Sequence, residues 1–173
     1  MGTCSCCKNQ EMMKNKLFFI IILSLCHTTH AQHNSLVYDT LDNWLTVGTP
    51  IQSVLDRLGA PDSVGDIETW GATGKEYCYY QYGQWGLSFY SEIDKLSETV
   101  FDIIVKSDSP FLTSRGVRVG DSRQSVLKKY KDCINFESNT TQDKTIINNI
   151  YNGTFFFYDD DGVIMIEIGS LAE

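Results

Sequence analysis

Asp102 and Glu167 are the two side chains in this sequence best suited to act as a catalytic pair. Each falls in a stretch of strand-like alternation, and both can face the same side of a sheet. Two carboxylates at the right separation are the machinery of glycoside hydrolysis, one giving a proton and the other attacking or activating water. Acids on a solvated sheet are much commoner, so this hydrolase is the third of three readings. Ser122, in Gly120-Asp121-Ser122, is a candidate nucleophile only with a base beside it. The histidines are His27, His30 and His33, all near the N-terminus, so serine and cysteine–histidine catalysis and histidine-ligated zinc lack their parts. Asp159-Asp160-Asp161-Gly162 looks like a calcium loop, but an EF-hand frame would put Phe157 and Ile168 at ligand positions; a hairpin turn is the plainer reading. Gly71-Ala72-Thr73-Gly74 lacks the lysine and spacing of a phosphate loop. No cofactor or metal is expected.

The positive signal is aromatic. Tyr77, Tyr79, Tyr80, Tyr82, Trp85, Phe89 and Tyr90 lie within fourteen positions. Strand propensity explains part of this. Yet Tyr77 and Tyr79 alternate with Cys78 and Tyr80, so rings stand on both faces of one strand. Tyrosine and tryptophan also anchor protein interfaces, offering large area with little rotamer entropy to lose.

The elements that must position these residues come in two copies. Val47-Gly48 followed by Gln52-Ser53-Val54-Leu55 recurs 72 residues later as Val119-Gly120 and Gln124-Ser125-Val126-Leu127. In the first copy Thr49 is the expected N-cap, Pro50 the first helical residue and Gln52 the capping-box partner. Ile51, Val54, Leu55 and Leu58 make one apolar stripe, ended by Gly59 and Pro61. In the second copy Asp121 is the cap, Gln124 matches Gln52, and Val126, Leu127 and Tyr130 form the stripe. Strands are expected near 77–82, 87–90 and 99–105, then 145–151, 154–158 and 163–168. Asn152-Gly153 reads as a two-residue hairpin and Asp161-Gly162 as the next turn. The fold class is therefore α+β, two tandem helix-plus-antiparallel-strand repeats forming one sheet with helices on one face. Repeat 1 spans 47–108 and repeat 2 spans 116–173. In the segment before them, 32–46, Val37, Leu41, Trp44 and Leu45 can form a short helix.

Alternation assigns Leu87, Phe89, Phe101, Ile103, Val105, Phe155, Phe157, Ile164, Ile166 and Ile168 to the face beneath the helices. The opposite face receives Ser88, Tyr90, Val100, Asp102, Ile104, Phe156, Tyr158, Val163, Met165 and Glu167, which is too aromatic for an ordinary wet surface. It is either a partner site or a face closed by the N-terminal segment or by another copy. The partner reading takes Tyr79, Trp85, Tyr90, Phe156, Tyr158 and Met165 as its contacts.

At the N-terminus, Lys14 and Lys16 precede an apolar run from Leu17 to Leu25, and Thr29-His30-Ala31 puts small residues where a signal peptidase reads. The run is shorter than the ~20 residues of a membrane helix. Residues 1–31 are read as a signal peptide, with Met12 or Met13 as the start, and the protein as periplasmic or secreted. A lipid anchor at Cys26 is disfavoured by Leu25, and myristoylation at Gly2 by Cys6 where serine or threonine is wanted. Cleavage after Ala31 leaves 142 residues, enough for one compact domain. It removes three lysines and one glutamate, taking the net charge from −8 to −10. Such a surface disfavours nucleic acid and anionic lipid. Of six cysteines only Cys78 and Cys133 remain, a candidate disulfide joining the repeats, with two free thiols as the equal alternative.

The helix start Val47-Gly48 with Ser53-Val54-Leu55, the end Leu58-Gly59-Ala60-Pro61, Trp70, and the hairpin Phe157-Tyr158-Asp159-Asp160-Asp161-Gly162-Val163 together resemble the beta-lactamase inhibitory protein superfamily. They are also similar to the SmpA/OmlA small outer-membrane lipoproteins, which carry one copy. The resemblance covers 47–173 in two copies, as in the inhibitors. It implies helices on one side of an antiparallel sheet and a concave open face that holds a protein through aromatic side chains. The inhibitors' disulfides within each repeat have no counterpart here, since each repeat has one cysteine. The function expected is an exported, non-enzymatic binding module, inhibitor-like or envelope-assembly-like, that holds a protein partner. The alternative is a structural envelope protein that self-associates as a homodimer through the same face.

Overall fold

A computed structural model describes residues 38–134 and 141–171. The leader, Ala31, Cys26 and His33 lie outside the described residues. The described strands are β1 (Ser63–Val64), β2 (Glu68–Thr69), β3 (Glu76–Tyr82), β4 (Leu87–Asp94), β5 (Ser97–Lys106), β6 (Lys144–Asn148), β7 (Gly153–Tyr158) and β8 (Val163–Gly169). They form one sheet in the order β1-β3-β4-β5-β8-β7-β6, with β2 also on β3. All pairings are antiparallel. Helices α1 (Ile51–Leu58) and α2 (Arg123–Lys129) complete an α+β fold. Neither is long and apolar enough to cross a membrane, nor is any other helix among the described residues.

The sheet consists of two meanders, β3-β4-β5 and β6-β7-β8, sewn together through their last strands. Along that seam Ile103 faces Ile168, Ile104 faces Glu167, Val105 faces Ile166 and Lys106 faces Met165. Ile51 and Val54 of α1 and Val126 of α2 share one core with Tyr82, Phe89, Ile103, Val105, Phe156, Ile166 and Ile168, so both helices cover the same side. Each helix is latched to the sheet by a glycine just before it. Gly48 N–H donates to Val100 O at 2.7 Å and Val100 N–H to Thr49 O at 2.9 Å. Gly120 N–H donates to Val163 O at 2.7 Å and Val163 N–H to Asp121 O at 2.9 Å. Both glycines sit at φ near +90° (87° and 90°), where a side chain would be strained.

A bulge follows each latch. The β4–β5 ladder skips Phe101 between Ser91↔Val100 and Tyr90↔Asp102. The β7–β8 ladder skips Ile164 between Tyr158↔Val163 and Phe157↔Met165. An extra residue shifts the alternation behind it, and this corrects the assignment of faces. Val100 and Val163 are core residues at 1% and 2% exposure, whereas Ile164 is 46% exposed and Phe101 lies on the open side. In β7 the run Phe155-Phe156-Phe157-Tyr158 was phased one residue out. Phe156 and Tyr158 pack in the core beneath the helices, and Phe155 and Phe157 point the other way. Trp85 is also off the open face. It ends a 3₁₀ turn (Gly83–Trp85) and packs at the core's edge, its ring 6.3 Å from Phe111. Tyr79, Tyr90 and Met165 do lie on the open face.

Four local devices differ from expectation. Pro50, not Thr49, precedes the first turn of α1; Thr49 Oγ1 accepts instead from Thr46 N–H at 3.0 Å, and Gln52 donates to Asp56 at 2.8 Å, so no capping box forms. At α2 the cap is Ser122, whose Oγ accepts from Ser125 N–H, while Asp121 lies 3.6 Å from Lys129 Nζ. Leu41 to Leu45 is a tight turn with Asp42 and Asn43 at positive φ rather than a helix. Asn148 pairs with Gly153, so the hairpin loop is four residues long, and Asn149 Oδ1 holds it through Tyr151 and Asn152 N–H. The Asp159 turn is a hairpin turn, with Asp159 Oδ1 accepting from Asp161 and Gly162 N–H.

Cys78 and Cys133 are free thiols. Cys78 lies on β3 and donates to Gly65 O at 3.3 Å, whereas Cys133 receives Arg115 Nη2 at 3.0 Å beside β6, bridged through Ile134. Four strands separate β3 from β6, roughly 24 Å at the usual spacing, far beyond disulfide reach. A chain starting at Gln32 should therefore take up two alkylating groups when unfolded without reductant, and its melting temperature should ignore reductant. The phase of β7 has its own check. Phe156→Ala should lower urea-unfolding stability by about 3–5 kcal/mol, and Met165→Ala by about 1 kcal/mol or less.

Candidate functional site

The open face gathers a cluster of five rings that come from four sources. β3 supplies Tyr77 and Tyr79, β4 supplies Tyr90, and the β5 bulge turns Phe101 toward them. The fifth, Trp70, stands in the turn between β2 and β3. That turn is closed by Trp70 N–H on Lys75 O at 3.0 Å and by Gly74 N–H on Trp70 O at 2.8 Å. Its ring lies 4.1 Å from Tyr77 and meets Tyr90 and Phe101 edge-on at 5.6 and 5.8 Å. Tyr79 packs on Tyr90 at 5.1 Å. Edge-to-face packing of this kind stabilises by about 0.5–1.5 kcal/mol per pair beyond burial, so the cluster holds the 70–75 turn over the sheet.

Beside Trp70 lies a cavity of about 580 Å³ lined by Tyr90, Phe101, Ile104 and the 69–73 turn, with Asp102, Glu167 and Ser170 on its sheet side. The seam brings the two acids together: Glu167 sits opposite Ile104, two positions along β5 from Asp102. Asp102 is only 6% exposed, and its Oδ1 accepts no hydrogen bond. The carboxylate lies against Gly169, where a Cβ would overlap it. Burial, then the charge of Glu167, pushes Asp102 up to about 8, against backbone hydrogen bonds from Ser170 and Ile103. Burial pushes Glu167 up to about 7, against the pull of Lys106 and Lys144. On the other side of Trp70 a smaller cavity of about 250 Å³ is lined by Tyr77, Tyr79, Tyr90, Gly65, Asp66 and Glu68.

Of the residues expected to contact a partner, Tyr90 lines both cavities, Tyr79 lines the smaller one, and Met165 lies farther along the same face beside Lys106 and Phe157. Trp85, Phe156 and Tyr158 are elsewhere, in the core or at its edge. Trp70 and Phe101 were missed as site residues. A tryptophan flanked by Gly71, Ala72, Thr73 and Gly74 has no apolar periodicity to join, so its ring has to cover something outside its own segment, and that was the available signal. Ser122 caps α2 and has no histidine near it among the described residues. No group of three or more metal-ligating side chains occurs among the described residues.

Comparison with protein-family models, curated proteins and solved structures finds no match to this chain.

The raised acids make stability depend on pH in a definite direction. The folded protein keeps the Asp102 proton up to about pH 8, while the unfolded chain loses it near about pH 4. The unfolded state therefore binds fewer protons between those values, and stability falls as pH rises from about 4 to about 8, then levels off. Asp102→Asn should flatten much of that slope and exceed the wild type in stability at about pH 9. Urea unfolding of both proteins across this range is the check.

Proposed function

We propose that this chain is an exported, non-enzymatic binding module that holds a protein partner on the open face of its sheet. The carrying observation is the group of five rings on the side away from the helices, flanking two cavities. With Phe156, Tyr158 and Trp85 committed to the core, the contacts in this reading become Trp70, Tyr79, Tyr90 and Met165. The leader supports export to the periplasm or beyond, and the motif residues support kinship with the inhibitor-like and SmpA/OmlA-like proteins.

We also read the two halves as tandem copies. The shared Val-Gly and Gln-Ser-Val-Leu residues support this, as do the matched glycine latches and matched bulges. The seam register agrees as well: aligning Val100 with Val163 makes Ile104 and Glu167 equivalent, and these two face each other, as they must at a two-fold axis.

Capture from the producing organism's envelope and culture fluid tests the binding reading. The 32–173 chain should retain a protein that a folded Tyr79→Ser/Tyr90→Ser/Met165→Ser variant loses. If the variant retains the same protein, the open face is not the site. A dimer in sedimentation without any partner, abolished by the same variant, would favour self-association instead. One observation favours a second reading: Asp102 and Glu167 share a cavity. A carboxylate-dependent hydrolase predicts glycan turnover by the wild type that Glu167→Gln abolishes, and no turnover by either protein excludes it for the glycans assayed.

A further inference from the structure

We propose that the open-face site takes the basic side chains of its protein partner, seating a lysine or arginine head group against Trp70, Tyr90 and Phe101 and over Asp102 and Glu167. The inference rests on the binding-module reading and names the chemistry of the partner.

Three features of the site carry it. The larger cavity has aromatic walls on several sides, and ring faces attract cations by about 0.5–2 kcal/mol each, more strongly as water is excluded. Its acidic side holds Asp102, more than nine-tenths buried with Oδ1 turned against Gly169, and Glu167 on the neighbouring strand. A pair of acids ionised in such a cavity needs compensating charge and donors, and an ammonium or guanidinium brings both. No lysine or arginine appears among the described lining residues. The smaller cavity repeats the combination, with three tyrosines and Trp70 beside Asp66 and Glu68, and again no basic residue. Trp70 is thus a partition between two acidic aromatic cavities. An extended segment turns every second side chain to one face, so basic residues at i and i+2 can flank the indole.

Neutral ligands such as sugars also stack on rings and bond to acids, and pH separates the two cases. At neutral pH the pair holds protons that a cation would displace. Around Asp102 stand Glu167 from β8, Tyr90 from β4 and Tyr38 from the N-terminal segment; Glu167 faces Lys106 of β5 and Lys144 of β6. A cation favours the ionised pair, so its affinity should climb as pH rises through about 7 to 8. A neutral ligand that bonds to the protonated acids should weaken over the same range.

The test uses the 32–173 chain labelled with ¹⁵N and follows the indole N–H signal of Trp70, assigned by loss in Trp70→Phe. The probes are an acetylated, amidated Gly-Arg-Ala-Arg-Gly peptide, its lysine version, their citrulline and norleucine isosteres, and butylammonium. The expected result is a saturable shift with arginine and lysine, at least about tenfold weaker binding of the isosteres, and affinity rising at least threefold from about pH 6 to pH 8.5. Asp102→Asn, shown folded by its melt, should lose most of the affinity and of its pH dependence. Equal binding of citrulline or norleucine overturns the cationic specificity while leaving the open face as a binding site. No shift with any peptide overturns the inference, and the capture experiment then decides the binding reading on its own. Butylammonium binding as tightly as the peptides overturns the protein partner in favour of a small amine.

Discussion

The pairing of β5 with β8 is the constraint on which the rest of the structure depends. Without it each meander would end in an exposed edge. Its register sends Ile103, Val105, Ile166 and Ile168 beneath the helices, and period two then dictates what the other side receives: Asp102, Ile104, Met165 and Glu167. The acids are together because the core residues are. A one-residue slip of either strand would drive its own carboxylate into the apolar core and part the two acids, so the register that stabilises the fold also assembles the pair.

The latches and bulges refine what the seam begins. Gly48 and Gly120 let the chain leave each helix start within hydrogen-bond reach of Val100 and Val163. Immediately after each valine the strand must take in an extra residue. In β8 that residue, Ile164, is largely exposed. In β5 it is Phe101, and turning it outward closes the ring cluster around Trp70. On the tandem reading, the same backbone device therefore serves two ends: one copy leaves it plain, and the other builds a cavity wall from it.

The helices, the strand-rich character and the antiparallel sheet were legible because apolar stripes and turn residues carry local signals. The recurring Val-Gly pairs were visible too, and their glycines prove to be the latches. Faces were harder. Phe155-Phe156-Phe157-Tyr158 offers no polar residue to mark the outside, so alternation has two equal phases, and only the seam chooses between them. A bulge leaves no mark in β5, where Val100, Phe101 and Ile103 are all apolar. Thr49 looked like a cap because threonine caps helices, but the Thr46 N–H reaches it first. Cys78 and Cys133 read equally well as partners or as free thiols, because sequence counts cysteines without placing strands. Asp102 and Glu167 were legible as a pair on one face; the cavity over them was not, since its wall comes from a non-periodic turn.

What separates Asp102 from an ordinary structural acid is visible within the same molecule. Asp39 shares the work of holding the N-terminal segment down, and both its oxygens are used: Oδ1 accepts from Thr40 and Ser114 N–H, and Oδ2 from the Tyr130 hydroxyl. Asp159 likewise closes its turn by accepting two backbone N–H groups. Asp102 is buried, stands near a second acid, requires a glycine beside it, and leaves one oxygen without a donor. An apolar residue at this position would avoid the desolvation cost and make the seam more stable. Four other buried polar side-chain atoms among the described residues also lack a partner, but Asp102 is the one carboxylate among them, and a buried carboxylate costs the most. The tyrosine beside Asp39 bonds to it through its hydroxyl, whereas the rings of Trp70, Tyr90 and Phe101 line a cavity beside Asp102 and give it no hydrogen bond.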